Sequence, residues 1–520
     1  MNVPVKQDAV STRSVPTWAV LALVCTAQFM VVLDVSVVNV ALPSIRADLG
    51  LSAGGLQWVI NGYTIAFGGL LLLGGRAADL FGQKRIFFIG LALFTGASLA
   101  GGLATSGTWL LVARIAQGVG GAVLSPATLT ILTITFPEGP ARAKALGVWS
   151  ALAGAGGATG ALLGGMLTDL ASWRWIFFIN IPVGVAAMIA IPVVLGRVPE
   201  QRRARSLDVL GGTLATAGLL VLVYGVVRTE SVPWGSASTI GVLAAAVVLL
   251  GWFVIHEHRV AAAPLVPLGI FRLRAVAAAN AVMLLVGSAV FSSWYFLSLY
   301  MQNVLGFTPL QAGLAFVPQT LAIVTGAQVS SRLIGRVGAR TLLLIGPTIS
   351  AVGLLWLSRM SADGTYLGTL LVPGVLVTFG VGLSFTPIAV SATTGVPREQ
   401  AGLASGLMTT MRQVGGALGL AVLATVAVAH TSSLLAAEGL PRDAASAPGP
   451  GSPAVLDALT AGYGRAFVVG GVLALLASVA ALALPKRTTS RPAVPAEQPK
   501  TTVAPTERSP ATEPVAAEPA

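Results

Sequence analysis

Residues 18–41 read WAVLALVCTAQFMVVLDVSVVNVA, an apolar run whose only charged residue is Asp34. A helix needs roughly 20 apolar residues to cross the hydrocarbon core of a bilayer, so length alone makes this segment a membrane span. Lys6 and Arg13 precede it. It is too long for the core of a signal peptide and no convincing cleavage site follows it, so it reads as a retained span. The same reading along the chain finds fourteen such runs, separated by Gly, Pro and charge clusters. Of 520 residues, 55% are hydrophobic and 10% are charged. A soluble chain spends about a quarter of its residues on charge. This one cannot cover a water-facing surface, which excludes a soluble multidomain enzyme. A single cysteine, Cys25, leaves no intramolecular disulfide.

The net charge of +12 would suggest a nucleic-acid partner in a soluble protein. In a membrane protein it is read by position instead, and no nucleic-acid partner is expected. With the N-terminus inside, the segments on the cytoplasmic side hold most of the basic residues. They include Lys6, Arg13, Lys84, Arg85, Arg142, Lys144, Arg197, Arg202, Arg203, Arg205, Arg272, Arg274, Arg332, Arg336, Arg340 and Arg398, with Lys486, Arg487, Arg491, Lys500 and Arg508 of the tail. The other side holds only Arg46, Arg174, Arg228, Arg359, Arg442 and Arg465. That asymmetry places both termini in the cytoplasm and requires an even number of spans across the cell membrane. Residues 1–17 form a cytoplasmic N-terminus. Residues 430–462 read as an outer loop, and 485–520, rich in Pro, Thr, Ala and Glu, as a disordered cytoplasmic tail.

Two echoes indicate duplicated halves. Gly82-Gln83-Lys84-Arg85 after the second run is matched by Gly338-Ala339-Arg340 after the tenth. Gly147, Gly156, Gly157 and Gly160 in the fifth run are matched by Gly406, Gly415, Gly416 and Gly419 in the thirteenth, at nearly the same offset. The expected fold is therefore an all-α integral membrane protein. It has an N-terminal six-helix bundle (18–196), two inserted helices (209–255) and a C-terminal six-helix bundle (275–484). Repeated bundles about a central site are a common architecture of secondary transporters.

Ionisable groups inside a bilayer are costly and usually functional. Asp34 is the only acid well inside a run, roughly 10 Å below the outer end of the first helix at 1.5 Å per residue. Arg114 lies at a similar depth in the fourth run. The two are natural partners, either as a proton-coupling pair or as a static ion pair between helices. Arg412, near mid-membrane in the thirteenth run, has no acid on its own helix. It faces cargo or a gate, or packs helices through backbone carbonyls. One acid against two arginines suits an anionic or neutral cargo at least as well as a cation. Gly75, Asp79, Gly82, Lys84 and Arg85 form a tight loop that reads as an inner latch or as a solvated basic turn. Gly156, Gly160, Gly164 and Gly165 permit close approach and bending of the fifth helix. Trp173 and Trp175 read as anchors at the membrane interface. His256, His258 and His430 have no metal-ligand company, and neither metal nor cofactor is expected. No Gly-x4-Gly-Lys-Ser/Thr pattern occurs, so ATP is not the energy source.

These residues carry a resemblance. The chain resembles the fourteen-span drug:proton antiporter branch of the major facilitator superfamily along nearly all of 18–484. LDVSVVNVALP at 33–43 is similar to that branch's first-span signature. GRAADLFGQKR at 75–85 resembles the superfamily's loop motif, with Ala77 and Leu80 where Leu and Arg are usual. RIAQG at 114–118 resembles the fourth-span motif, whose arginine the family implicates in proton coupling. SWRWIFFINIPVG at 172–184 is the most specific match, and YMQNVLG at 300–306 and RQVGG at 412–416 also agree. The fifth-span motif normally carries Gly-Pro, and here Gly160 is followed by Ala161. The resemblance implies export of drugs or other hydrophobic small molecules in exchange for protons, by a monomer in the lipid bilayer. It adds Asn39 and Gln117 to Arg412 as candidate cargo or gating residues. An endogenous product, such as a self-made antibiotic, lipid precursor or siderophore, is the alternative cargo.

Overall fold

A computed structural model describes residues 16–136, 140–195, 208–230, 232–262, 264–396, 400–441, 444 and 452–485. Lys6, Arg13, Arg197, Arg202, Arg203, Arg205, Arg398, Arg442 and Gly147's side-chain surroundings lie outside the described residues, as do the tail from 486 and part of the expected 430–462 loop. Among the described residues there is no strand. Fourteen helical segments follow in order: α1 Thr17–Leu49, α2 Ala53–Phe81, α3 Gln83–Gly102, α4 Gly107–Thr135, α5 Pro140–Leu170, α6 Trp175–Val194 and α7 Val209–Val227. They continue with α8 Ala237–Val260, α9 Arg274–Val304, α10 Pro309–Val337, α11 Ala339–Leu357, α12 Tyr366–Thr393, α13 Ala401–Ala437 and α14 Pro453–Ala483. Thirteen are long and apolar enough to cross a membrane. The other, α5, is 31 residues long, and several of its side chains lie outside the described residues.

Local chemistry sets the ends. Gly50 closes α1 in the left-handed conformation, and the Ser52 hydroxyl accepts from Gly55 N at 3.1 Å to start α2. Gly82 (φ 96°) is the single residue between α2 and α3, and Gly338 (φ 82°) is the single residue between α10 and α11. Side chains rarely adopt such φ values, so the echoed glycines perform the same turn in each half. The expected loop at 430–462 is shorter than its composition suggests. α13 continues to Ala437 and α14 already begins at Pro453, because Ala and Leu on both sides sustain helix.

We call the face where α1 begins the lower face and the opposite one the upper face. On the upper side both halves share one apolar core, in which Val37, Leu42 and Ile45 of α1 join Phe296 and Tyr300 of α9 and Leu420 and Leu423 of α13. Towards the lower face the cores separate. One holds Val24, Met30, Phe87 and Leu132 of the first half, and another holds Met283, Leu343, Ile388 and Leu484 of the second. The α2–α13 edge still joins the halves there, where a Cβ on Gly406 would lie 2.8 Å from Leu72.

Small residues allow the closest approaches. Gly156, Gly160 and Gly164 of α5 lie against Val32, Leu33, Ser36 and Val37 of α1, and Ser36 Oγ donates to Gly157 O at 2.6 Å. The second half repeats this, with Gly415, Gly416 and Gly419 of α13 against α9 and Ser288 Oγ donating to Gly415 O at 2.8 Å. Gly165 instead meets Pro309 O of α10. α5 runs unbroken, so these glycines serve helix approach. The inserted pair α7–α8 is tied at its lower end. His256 Nε2 lies 2.8 Å from Asp208 Oδ1, and Glu257 accepts from Val266 N at 2.9 Å.

Gly160→Val would place a side chain 2.8 Å from Leu33 O and Ser36 Cβ. It is expected to lower stability by about 1–3 kcal/mol through overpacking. Gly96→Val, with nothing within 4 Å, is expected to melt within a degree or two of the wild type. Fluorescence-monitored thermal unfolding in detergent checks the pair, and equal midpoints would refute the packing role.

Candidate functional site

Asp34 and Arg114, read from sequence as partners at one depth, meet in the interior of the first bundle. Asp34 is 0% exposed and Arg114 1%. Arg114 Nη1 donates to Asp34 Oδ2 at 2.6 Å. The other carboxylate oxygen, Oδ1, accepts from Gln117 Nε2 at 2.6 Å and from Asn180 Nδ2 at 3.2 Å. Ser98 Oγ accepts from the same two amides at 2.7 and 3.1 Å. Arg114 has further partners, donating from Nε to Val59 O at 3.0 Å and from Nη1 to Gln117 Oε1 at 2.8 Å. Its guanidinium carbon lies 4.3 Å above the Tyr63 ring and 5.9 Å from that of Phe177. Donors from α4 and α6 thus converge on one acid of α1, with α2 and α3 holding the donors in place.

Spacing explains the convergence. Arg114 and Gln117 are three residues apart, so both side chains leave the same face of α4. Asn180 follows the break between Trp175–Phe178 and Asn180–Val194, which aims its amide inward. Asn180, Ser98 and Tyr63 were not singled out from sequence. Asn180 stood inside the quoted 172–184 signature, and a polar residue in an otherwise apolar run was the available signal.

That signature fixes α1 at a second point. Trp173 Nε1 and Arg174 Nη1 donate to Asp48 Oδ2 at 3.0 and 2.7 Å, and Arg174 Nη2 donates to Ala104 O at 3.1 Å. Trp173 is consequently a buried core residue and not an interface anchor, whereas Trp175 is exposed as an anchor should be.

Asn39 sits where α1 meets α9 at the upper side. Its amide donates to Val35 O of its own helix at 3.0 Å, and its backbone oxygen accepts from Ser298 Oγ at 2.8 Å. Gln302 Nε2 donates to Val40 O at 2.9 Å beside it. Arg412 is half-buried on α13, with its Nε buried and without a hydrogen-bond partner. In the lower loop Asp79 and Lys84 are half-buried and engaged, and Arg85 is exposed. Gly74, not Gly75, makes the close approach, against Ala122 O of α4. Gly75 meets only Pro126, at 3.5 Å. No group of three or more His, Cys, Asp or Glu among the described residues is placed to hold a metal.

Two helical bundles, an inserted helix pair and a buried carboxylate–guanidinium centre define a multi-pass membrane transporter. The model of the Major Facilitator Superfamily matches residues 24–420, and the chain belongs to that superfamily, a family of transporters and not of enzymes. It is 46% identical over 491 residues to a cephamycin export protein of Amycolatopsis lactamdurans, covering 94% of this chain and 96% of that one. To a puromycin resistance protein of Streptomyces alboniger it is 39% identical, covering 94% and 95%. To the multidrug resistance protein Stp of Mycobacterium tuberculosis it is 38% identical, covering 78% and 75%. Among solved structures it is similar in fold to an inward-facing, occupied bacterial homologue of the lysosomal transporter spinster (TM-score 0.63, 16% identity, covering 89% and 96%). A D-xylose–proton symporter is comparably similar (TM-score 0.62, 13% identity, covering 90% and 98%).

Removing one partner of a buried ion pair leaves an uncompensated charge and costs about 3–5 kcal/mol. Arg114→Met is expected to destabilise by that order. Asp34→Asn should cost less, because Arg114 keeps Val59 O, Gln117 Oε1 and the Tyr63 ring. Asp34→Asn combined with Arg114→Met should be more stable than Arg114→Met alone, as judged by thermal unfolding. Simple additivity of the two single variants would contradict the pairing argument.

Proposed function

We propose that this transporter is a proton-coupled antiporter that exports antibiotics, drugs or other hydrophobic small molecules across the cytoplasmic membrane. The observation that carries the reading is Asp34: fully buried, paired with Arg114, and among the described residues the one acid far from any helix end. The names of the relatives, which are export and resistance proteins, support export of such compounds.

The distribution of basic residues supports a cytoplasmic lower face with both termini on it. In that orientation the shared upper core and the divided lower cores correspond to an inward-facing state. Asp34 lies five residues from Asn39, about 7.5 Å along α1 at 1.5 Å per residue. α1 therefore carries both the proton site and part of the upper seal. In the outward-facing state Asp34 takes a proton, which neutralises it and loosens its hold on Arg114. Arg114 is then held by Val59 O, Gln117 Oε1 and the Tyr63 ring while cargo leaves. In the inward-facing state the proton departs to the cytoplasm, and the carboxylate–guanidinium pair forms again. Gln117 positions the carboxylate, Asn39 belongs to the upper gate, and the loop from Gly75 through Asp79 and Gly82 to Lys84 and Arg85 serves as the lower latch. Gly156, Gly160, Gly164 and Gly165 let α5 move closely against α1 and α10. The protein works as a monomer with protons and a small molecule as its partners. Export of a self-made antibiotic is the second reading, favoured by the likeness to a cephamycin export protein.

Inside-out vesicles with an acidified lumen test this, using one cationic, one neutral and one anionic drug. At least one drug is expected to drain protons from wild-type vesicles, and none from Asp34→Asn vesicles containing equal amounts of protein. Wild-type rates in the Asp34→Asn vesicles would overturn the proton role.

A further inference from the structure

Arg412 is the charge that the proton pair leaves unexplained. It sits where three helices meet: its own backbone lies against Gly287 of α9, and the neighbouring Gln413 lies against Gly68 of α2. Its Nε is buried and bonded to nothing. On α2, five residues before that Gly68 contact, the Tyr63 hydroxyl is likewise buried and has no hydrogen-bond partner. Tyr63 is 1% exposed, and its ring is the one beneath Arg114.

An unpaired guanidinium at this depth is costly, and neighbouring acids usually compensate it. Here none does. Asp34 already receives a hydrogen bond from Arg114 on one oxygen and from two amides on the other. The Asp34–Arg114 pair is neutral as a unit, which leaves the interface between the halves with one uncompensated positive charge. A guanidinium on α13 and an unpartnered phenolic hydroxyl on the facing α2 offer a planar fork and a further donor, which suit a carboxylate.

Resting on the export reading above, we infer that Arg412 and Tyr63 form the polar end of the cargo site and that the preferred cargo is a hydrophobic molecule bearing a carboxylate. Arg412 supplies the bidentate contact and Tyr63 Oη a single donated hydrogen bond. The apolar remainder lies along the seam between the halves. Proton and cargo then occupy different groups joined through Tyr63, whose ring bears on Arg114 and whose hydroxyl shares the carboxylate with Arg412. A proton on Asp34 and an anion at Arg412 do not compete for one position. Exchange is therefore enforced by which conformational state each occupant favours.

The full-length protein in zwitterionic nanodiscs, titrated with pyrenebutanoate and with pyrenebutanol, tests the site by fluorescence anisotropy, with empty nanodiscs subtracted. Wild type is expected to bind the carboxylate about tenfold or more tighter than the alcohol, the yield of one charge-assisted contact. Arg412→Gln should bring the carboxylate's affinity down to the alcohol's. Arg412→Lys should keep part of the preference, since it retains the charge without the fork. Tyr63→Phe should weaken carboxylate binding about threefold or more. Equal affinities in wild type, or tighter binding of a pyrenylalkylammonium, would overturn the inference. So would full carboxylate preference in Arg412→Gln; if that variant fails to fold, unchanged preference in both Arg412→Lys and Tyr63→Phe does the same. Binding is read here without transport. A wild-type preference with no proton movement in vesicles would remove the exporter reading and leave the site, whereas proton movement without preference would do the reverse.

Discussion

The carboxylate of Asp34 is the constraint around which the first bundle is organised. Taking a carboxylate out of water costs several kcal/mol even after relaxation, and one guanidinium repays that only with good geometry and with the remaining lone pairs satisfied. Both conditions hold. Oδ2 takes Arg114 at 2.6 Å, and Oδ1 takes the amides of Gln117 and Asn180. The donors come from α4 and α6, and each is fixed by contacts of its own. Turning α1 by one residue, about 100°, would withdraw the acid from all of them. The rotation and depth of α1 are therefore specified by an interaction that an apolar contact between smooth helices could not supply.

The halves share their framework and differ in their charges. Ser36 bonded to Gly157 O and Ser288 bonded to Gly415 O are the same contact made twice, and Gly82 and Gly338 are the same turn made twice. In a bilayer, helices gain little from burying apolar surface against one another. Close approach of small residues and hydroxyl-to-carbonyl bonds hold them together instead. That framework tolerates duplication because it depends on size and spacing. The polar centres do not repeat. The first half carries the neutral Asp34–Arg114 pair, and the second carries Arg412 with its Nε unbonded.

What sequence could reveal follows from the same physics. Spans, repeated glycines and the common depth of Asp34 and Arg114 were legible because apolar length and isolated charge are conspicuous in a membrane chain. Asn180, Ser98 and Tyr63 were not, because a lone amide, hydroxyl or phenol in an apolar run gives no sign of which neighbour it faces. Trp173 was misread for a related reason. Tryptophan beside arginine near a helix start fits an interface anchor, and only the position of Asp48 on another helix turns it inward. Gly74 and Gly75 are indistinguishable in a string, yet one faces Ala122 of α4 and the other the side of Pro126. The histidines gave no signal at all, since the partner of His256 is an aspartate distant in sequence, brought to the same lower end by the return of the inserted pair.

The hydrogen bonds between the halves at the upper face are few beside those gathered around Asp34. Ser298 and Gln302 reach the oxygens of Asn39 and Val40, and beside them Gly313 lies against Ala161 O of α5. Hydrogen bonds between membrane helices average about 0.6 kcal/mol, so two of them contribute roughly 1 kcal/mol to closure. Breaking a buried ion pair costs several times that. Breaking those two hydrogen bonds is therefore easier than disrupting the pair that holds Asp34. The ion pair ties the first bundle together independently of its contacts with the second. Both features lie on α1 less than two turns apart, so the helix that carries the buried carboxylate also carries these contacts between the halves.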